Sequence, residues 1–425
     1  MSRKSVEAIK SILIAVLLIV AVLLVMTTPI YKELTGEMPA QTWYRLTTVQ
    51  TSDVGVLPQE AAATPSVIAI GTGHARYGVR YDDASVNRVY NELSPLLGDA
   101  LCTADAPRVV PEEEWLTALT GANIYLFYPG RVPLSVLTSW LCGEDEPRTS
   151  LSGSVRQLLL CPDSDGSLLL CYRDETSGQY CFCQTSPELT GQLEALCSNY
   201  LSNEAAFACE TDSPLAPSTL LLPDALSAPM LSVDAVSFTD SSLTALLTAM
   251  EFNPRTNATY SSDAGRVVLE GTSTLRIGGD GNVSYESGGE SRLLIREGSQ
   301  AQAIEVARQL AQQTVGAQCG DASLYLMDAA YDEEGVYVIR FGYCLDGMPI
   351  LPEGADCAAL FRVADGQVAS CVLHYRTFAR TDTLVLLLPE KQVAAALHAM
   401  GQDGSLLTAG YAGPGSTLSP AWLVL

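Results

Sequence analysis

The longest apolar run of the chain lies close to its N-terminus. No charged residue occurs from Ser11 to Tyr31, and the stretch from Ile12 to Met26 is almost continuous Ile, Leu, Val and Ala. At about 1.5 Å per residue, a helix over this run spans about 30 Å, the thickness of a bilayer core. The pattern predicts a single transmembrane helix over residues 11–31. The residues expected to anchor it in the membrane include Ile12, Leu17, Leu18, Leu23 and Leu24.

The charges that flank this run predict its orientation. Three basic residues and one acid precede it, namely Arg3, Lys4, Lys10 and Glu7. Basic flanks stay in the cytoplasm, so we expect a cytoplasmic tail at 1–10 and everything after Tyr31 outside the cytoplasm. A cleaved signal peptide is the alternative. Its apolar core would be shorter, about 7–15 residues, and would end in an A-x-A-like site that residues 27–31 do not offer.

A linker at 32–65, with one strand at 42–49, leads into a membrane-proximal domain at 66–225. Apolar residues recur there at helical spacing from Val86 to Leu97, and Pro111 with its three following glutamates is typical of a helix start. Short apolar runs separated by Asp- and Gly-rich turns predict an antiparallel meander. The predicted helices are 82–97, 111–119, 133–142 and 187–201. The predicted strands are 66–70, 77–81, 124–128, 155–161, 168–173, 180–184 and 205–210.

Clustered prolines predict a domain boundary near residues 223–229. We expect a middle subdomain at 230–296, in which Asp240 caps a short helix, and a C-terminal domain at 297–425. Helix followed by antiparallel strands, twice over, indicates the α+β class. The later predicted helices are 299–315 and 389–400. The predicted strands are 266–270, 274–277, 283–286, 324–330, 336–344, 358–363 and 368–377.

The charge balance excludes one large class of function. The chain carries a formal net charge of −24, and only Lys32 and Lys391 supply lysines beyond the predicted anchor. So acidic a surface repels phosphate backbones, so we predict no nucleic-acid partner. A hydrophobic content of 48% is far too high for a disordered tail. The part outside the membrane is therefore expected to fold.

Twelve cysteines follow the predicted anchor. An even number outside the cytoplasm is compatible with disulfides. Several alternate with apolar neighbours, as small core residues do, and no C-x-x-C occurs. A zinc site needs four convergent ligands, and only three histidines could supplement the thiols. We favour buried structural thiols over disulfides, and disulfides over a metal site.

Enzyme signatures are missing from the sequence. It contains no H-E-x-x-H, no G-x-S-x-G and no P-loop lysine, and the glycines at 71 and 73 precede a strand instead of a helix. We therefore predict that the chain is not an enzyme and that it has no catalytic residue, cofactor or metal. His74, Arg76 and Arg80 are the best candidates for lining a binding pocket.

Short stretches along most of the chain carry a family resemblance. They are Arg76–Asp82 before the first helix, Val132–Ser135 before Trp140, Phe252–Pro254 before Tyr260, Gly271–Tyr285 and Leu418–Trp422. With one anchor helix and helix-plus-sheet units, this layout resembles the YycH/YycI family, and its clostridial members in particular. These are bacterial membrane-anchored regulators of WalK-type sensor histidine kinases, which control cell-wall metabolism.

The resemblance implies a regulator that acts through protein–protein contact. Its implied partners are a sensor histidine kinase and a paralogous regulator, and no catalytic residues come with it. Two other functions stay open at this point. The chain could be an extracytoplasmic binding module for a peptide or cell-envelope polymer, with its pocket near His74, Arg76 and Arg80, or an enzyme of a type without a recognisable motif.

Overall fold

The computed structural model describes residues 57–143, 151–255, 258–262, 265–289, 291–295, 299–354 and 356–425. The predicted anchor, its cytoplasmic tail and the strand at 42–49 lie outside these ranges. None of the described helices combines the length and the apolarity that a bilayer crossing needs. The described part mixes helices with two large sheets and so belongs to the predicted α+β class.

The first sheet has seven antiparallel strands in the order β2-β1-β4-β5-β6-β7-β3. The predicted meander forms its second half, since β5, β6 and β7 pair in sequence. The strands are β1 (Val67–Thr72), β2 (Arg76–Arg80), β3 (Arg108–Val110), β4 (Ala122–Pro133), β5 (Ser154–Pro162), β6 (Leu168–Asp174) and β7 (Tyr180–Gln184).

Helices cover this sheet and bury the apolar stripes that predicted them. In α2 the buried side chains include Val86, Val89, Tyr90 and Leu97, which confirms the helical spacing. The helices are α1 (Gln59–Ala62), α2 (Asp83–Thr103), α3 (Glu112–Thr120), α4 (Leu134–Cys142) and α5 (Thr190–Ser198).

Four predicted elements of this region have different bounds. The helix predicted at 82–97 is α2, which continues to Thr103. The strand predicted at 124–128 is the twelve-residue β4, because a register shift lets it continue along β5. The helix predicted at 187–201 begins as a 3₁₀ turn and ends at Ser198. Near residue 206 there is only the two-residue strand β8 (Ala206–Phe207), which pairs with β9 (Leu220–Leu221) before a 3₁₀ turn at Ala208–Glu210.

The second sheet has thirteen strands in the order β11-β12-β13-β14-β19-β18-β16-β17-β21-β22-β10-β20, with β15 paired to β16. The pairing of β14 with β19 places strands from the predicted middle subdomain and from the predicted C-terminal domain in the same sheet. The strands are β10 (Ser227–Ala235), β11 (Ala258–Ser262), β12 (Gly265–Glu270), β13 (Ser273–Ile277), β14 (Asn282–Glu286), β15 (Ser323–Tyr331), β16 (Tyr337–Leu345), β17 (Met348–Leu351), β18 (Ala359–Ala364), β19 (Gln367–His374), β20 (Arg376–Leu386), β21 (Leu407–Ala412) and β22 (Thr417–Val424).

Three helices accompany this sheet: α6 (Asp240–Ala249), α7 (Gln300–Gln313) and α8 (Glu390–Ala399). The prediction that Asp240 caps α6 is wrong by one residue. Thr239 is the cap, because its hydroxyl accepts the Ser242 N–H while the Ser242 hydroxyl accepts the Thr239 N–H. This reciprocal pair satisfies two backbone donors, and Asp240 becomes the first helical residue.

Seven strands were not predicted from the sequence, namely β3, β9, β10, β11, β17, β21 and β22. The strand predicted at 368–377 covers most of β19 but only the first two residues of β20, which is a separate strand after Tyr375. β10 contains Pro229, which favours a domain boundary when the sequence is considered alone, yet the residue sits within a strand paired to β20. Whether the chain divides at 225–230 and 296–297 stays a prediction.

Cysteines are mostly small core residues. Cys102 and Cys142 form a disulfide between α2 and α4. The other ten are free, and all but Cys209 are buried, so the preference for structural thiols is confirmed for nine cysteines and is wrong for Cys102 and Cys142. Burial raises the pKa of Cys319 to about 11 and that of Cys344 to about 12, so both are neutral at pH 7. Across the described ranges, no three His, Cys, Asp or Glu side chains converge as metal ligands would.

The two sheets meet where β4 passes β15. A Cβ added to Gly130 would overlap the Leu326 carbonyl oxygen and would lie 2.8 Å from the Met327 carbonyl oxygen. Both neighbours are backbone atoms, so neither can turn aside as a flexible side chain would. This close approach therefore depends on the absence of a side chain at residue 130.

Replacing Gly130 with Ala should destabilise the protein, because the new methyl group can be accommodated only if one of the two strands shifts. The expected loss is about 1–3 kcal/mol of unfolding free energy, as for other overpacked cores. Thermal unfolding of the purified full chain, followed by tryptophan fluorescence, measures it. Gly191→Ala is the matched control, since nothing lies within 4 Å of its added Cβ and Ala favours helix α5. Equal stability of the two variants would contradict the close approach.

Candidate functional site

The three candidate pocket residues lie on one hairpin but not in one site. His74 is exposed in the turn between β1 and β2, next to Gly73 at φ +84°. Arg76 and Arg80 are buried at the two ends of β2. Being four residues apart on a strand, they share one face of the sheet. The structure therefore brings the two arginines to one face and leaves His74 in solvent.

Arg76 makes an ion pair, a hydrogen bond and a contact with an aromatic ring. Its guanidinium forms an ion pair with Glu210, its Nη2 donates to the Leu119 carbonyl at 3.2 Å, and its Cζ lies 4.3 Å from the ring centroid of Phe207. Glu210 also accepts the Phe207 N–H at 2.7 Å. These contacts join β2 to the 3₁₀ turn that follows β8. The charge of Arg76 is thus neutralised within the protein.

Arg80 makes the corresponding contacts to the C-terminal part of the chain. It forms an ion pair with Glu390, the first residue of α8, and the two side chains are only 5% and 7% exposed. Its Nη1 donates to the Leu220 carbonyl at 3.0 Å, and its Cζ lies 5.6 Å from the ring centroid of Trp422. A buried charge needs such a partner because its desolvation is costly. Arg80 therefore connects the first sheet to α8 and β22.

Tyr81 strengthens the same junction. Its hydroxyl lies 3.1 Å from the Thr408 hydroxyl and accepts the Ala409 N–H at 3.0 Å. Both partners belong to β21 in the second sheet. Arg80, the last residue of β2, and Tyr81, which follows it, thus both make polar contacts to the last 40 residues of the chain.

A small cavity remains beside these contacts. It measures about 20 Å³, and Arg80, Tyr81, Tyr125, Glu390 and Trp422 are among its lining residues. That volume holds about one water molecule. His74 and Arg76 do not line it. The junction is therefore filled by protein side chains and leaves no room for a metabolite.

The two remaining histidines, His374 and His398, have different hydrogen-bond partners. His374 Nδ1 lies 2.7 Å from Asn282 Oδ1, and burial, assisted by Arg376, lowers its pKa. It is therefore neutral at pH 7, with no nucleophile among its hydrogen-bond partners in the described ranges. His398 is exposed and pairs with Asp403. Neither arrangement is that of an acid–base pair beside a reacting group.

Glu210, Glu390 and Trp422 were not predicted as site residues from the sequence. Glu390 follows Pro389 at the start of a predicted helix, where the helix dipole alone explains an acid. Nothing in the local pattern indicates a partner 310 residues earlier. An arginine within an apolar strand was the one available signal, because such a side chain needs a counter-ion when buried.

Removing one partner of the Arg80–Glu390 pair should be strongly destabilising. Glu390→Gln leaves the Arg80 charge buried without a carboxylate, and we expect a loss of about 3–5 kcal/mol of unfolding free energy. Urea unfolding of the full chain measures it. The double variant Arg80→Met/Glu390→Leu should recover most of this loss, because no buried charge remains.

The matched control is the exposed pair of Arg108 and Glu114, whose side chains are 63% and 46% exposed. Glu114→Gln should cost less than about 1 kcal/mol. If Glu390→Gln were no more destabilising than Glu114→Gln, the Arg80–Glu390 pair would not be holding the junction.

Comparisons with known proteins agree with this fold and say nothing of a site. No family model matches the sequence, and a search of curated proteins finds no match. Among solved structures, the fold is similar to that of the crystal structure of YycH from Bacillus subtilis, with a TM-score of 0.54 and 13% sequence identity. The similarity covers 87% of this chain and 95% of that one. The described part of the chain thus has a YycH-like fold.

Proposed function

We propose that this chain is a membrane-anchored, extracytoplasmic regulatory protein that modulates a two-component sensor kinase through protein–protein contact. The observation that carries the proposal is the YycH-like fold, which extends over nearly the whole of both chains. It supports the family resemblance found in the short sequence stretches. Membership of the YycH/YycI family, as a clostridial-type member, and control of cell-wall metabolism are part of this proposal.

The geometry of the arginine contacts favours a surface-based function. Arg76 and Arg80 are committed to Glu210 and Glu390, and the cavity beside Arg80 is about 20 Å³. A cavity of that volume holds about one water molecule and is too small for a metabolite. A partner protein needs no such opening, because it can bind the outer surface.

The proposed arrangement in the membrane makes a weak contact sufficient. We propose that residues 11–31 span the membrane, with the N-terminus in the cytoplasm and the remainder outside. Two proteins held in one membrane meet at a raised effective concentration, so a contact that is weak in solution becomes populated. Tethering is the minimal role of the anchor. Direct helix–helix contact with the kinase is an additional one.

Deletion of the gene should change the output of the sensor kinase, because one of its regulators is then missing. A transcriptional reporter of the cognate response regulator measures the change. Replacing residues 11–31 with an unrelated membrane span separates the two roles of the anchor. Full complementation would show that it only tethers, and lost complementation would show that its sequence contacts a partner. Unchanged output after deletion would end the proposal.

The topology can be tested through Cys209, because the other free cysteines are buried. A small, membrane-impermeant maleimide should label it in intact cells, and Cys209→Ser should abolish the signal. The surrounding protein and the neighbouring Glu210 carboxylate raise the pKa of this thiol, so its thiolate fraction is low near neutral pH. Labelling should therefore become faster as the pH is raised from 7 to about 9. Labelling that occurred only after lysis would reverse the topology.

A further inference from the structure

The last strand in the order of the thirteen-stranded sheet leaves part of its outer edge unpaired. β20 pairs with β10 on one side. On the other side, the Phe378 N–H donates to the Cys319 carbonyl and the Asp321 N–H donates to the Phe378 carbonyl, which covers the first half of the strand. From residue 381 to residue 386, no strand in the described ranges pairs with this outer edge.

The backbone groups of two leucines point towards this open edge. The Leu387 N–H donates to the Leu226 carbonyl at 2.8 Å, on the β10 side. Backbone groups of an antiparallel strand alternate between its two edges. Those of Val385 therefore face β10, and those of Leu384 and Leu386 face outward. Two N–H and two C=O groups are thus positioned to pair with another strand.

Apolar side chains accompany these backbone groups. Leu384, Leu386 and Leu388 are 69%, 67% and 61% exposed, whereas Leu387 between them is buried. Spaced by two residues, the exposed leucines lie on one face. Natural edge strands are usually protected by charges, prolines or bulges. Here the register shift with β10 and Asp382 both precede the leucines, so neither protects residues 384–386.

The charge of the chain limits what can occupy this edge. At a net charge of −24, two copies of the chain repel each other, and so do the chain and an anionic lipid surface. The segment from Thr383 to Leu388 has no charged residue of its own. The occupant that fits is an extended segment with alternating apolar residues and basic flanks.

We infer that the outer edge of β20 binds such a segment of a partner protein as an added strand. Main-chain hydrogen bonds to Leu384 and Leu386 would hold it, and its apolar side chains would pack beside the exposed leucines. The inference rests on the proposed function in one respect, because it takes the occupant to be part of a regulated protein.

A synthetic peptide tests the edge directly. The probe is Lys-Lys-Thr-Val-Thr-Val-Thr-Val-Lys-Lys, labelled with a fluorophore and titrated with the full chain in neutral detergent micelles. Fluorescence anisotropy should show saturable binding. A peptide with glutamates in place of the lysines, and one with N-methylated valines, should each bind at least about tenfold more weakly. The first loses charge complementarity and the second loses backbone donors.

Variants of the chain locate the binding. Leu384→Thr/Leu386→Thr keeps residues that favour strands but removes the apolar contact, and it should weaken peptide binding at least about tenfold. The matched control is Leu294→Thr/Tyr331→Thr, which removes two comparably exposed apolar side chains elsewhere. It should change affinity less than about twofold. Both variants must melt within a few degrees of the wild-type chain.

Three results would overturn the inference. The first is no saturable binding of the lysine peptide, or binding that Leu384→Thr/Leu386→Thr leaves unchanged. The second is concentration-dependent dimerisation in sedimentation velocity that this variant abolishes, which would make a second copy the occupant. The third is binding to anionic vesicles that the variant abolishes, which would make a lipid surface the occupant.

Measurement of kinase output in cells distinguishes a failure of this inference from a failure of the proposed function. If the inference holds, Leu384→Thr/Leu386→Thr should shift kinase output as gene deletion does, and Leu294→Thr/Tyr331→Thr should not. If deletion shifts the output but the edge variant neither shifts it nor loses peptide binding, the edge inference fails and the proposed function stands. If peptide binding depends on the edge but deletion has no effect, the edge binds a partner and the proposed function fails.

Discussion

Two buried arginines on one short strand connect the parts of this protein. Arg76 and Arg80 carry charges that are costly to remove from water, and each is compensated by a carboxylate from a later part of the chain. Arg80 meets Glu390 only when α8 and β22 have docked against the first sheet. An arrangement of the two sheets that buried Arg80 without Glu390 would leave its charge unpaired. The ion pairs favour the observed arrangement of the two sheets over arrangements that leave either arginine unpaired. The close backbone contact at Gly130 allows little relative displacement of the two sheets.

The same acidity that limits the partners of the chain protects its surface. Beyond the predicted anchor almost every cation is an arginine, and many of the described arginines are committed to acids, as in the pairs of Arg308 with Glu305 and Arg380 with Asp346. The remaining acids set the sign of the surface potential. A surface potential of one sign opposes the association of two copies, which lowers the tendency of an exposed apolar edge such as that of β20 to self-associate. The excess of acid and the open edge are therefore compatible features.

Local sequence patterns predicted the elements whose periodicity and turn residues lie within the element itself. The stripe of α2 and the meander of β5, β6 and β7 are complete signals, because periodicity and turn residues occur together within a few residues. β11 and β21 were missed although each pairs with the next strand along the chain, whereas β10 depends on a distant partner. β10 contains Pro229 and is stabilised as a strand by β20, about 150 residues later. No reading of residues 227–235 alone could supply that partner.

The candidate site likewise contains features that the local sequence predicts and features that depend on distant residues. A strand containing Arg76 and Arg80 could be recognised, and their common face follows from the period of a strand. Their neutralisation by Glu210 and Glu390 could not be recognised, because residues that meet across long sequence separations follow no fixed spacing along the chain. His74 was grouped with them by proximity along the chain, and the turn at Gly73 places it in solvent. Proximity in sequence is a good guide within a strand and a poor one across a turn.

A tightly interlocked body and an open edge suit a tethered regulator. Four backbone groups at about 0.5–1.5 kcal/mol each contribute about 2–6 kcal/mol, which is comparable to or less than the about 4–15 kcal/mol that association of two free proteins costs. An edge contact of this size is therefore weak in solution. In the proposed arrangement, confinement of both partners to one membrane would remove much of that cost, and the contact could then respond to small changes in either partner. A tighter interface would remain occupied and could not report such changes. The free-energy balance at the exposed edge thus favours a reversible contact that depends on the proposed anchor.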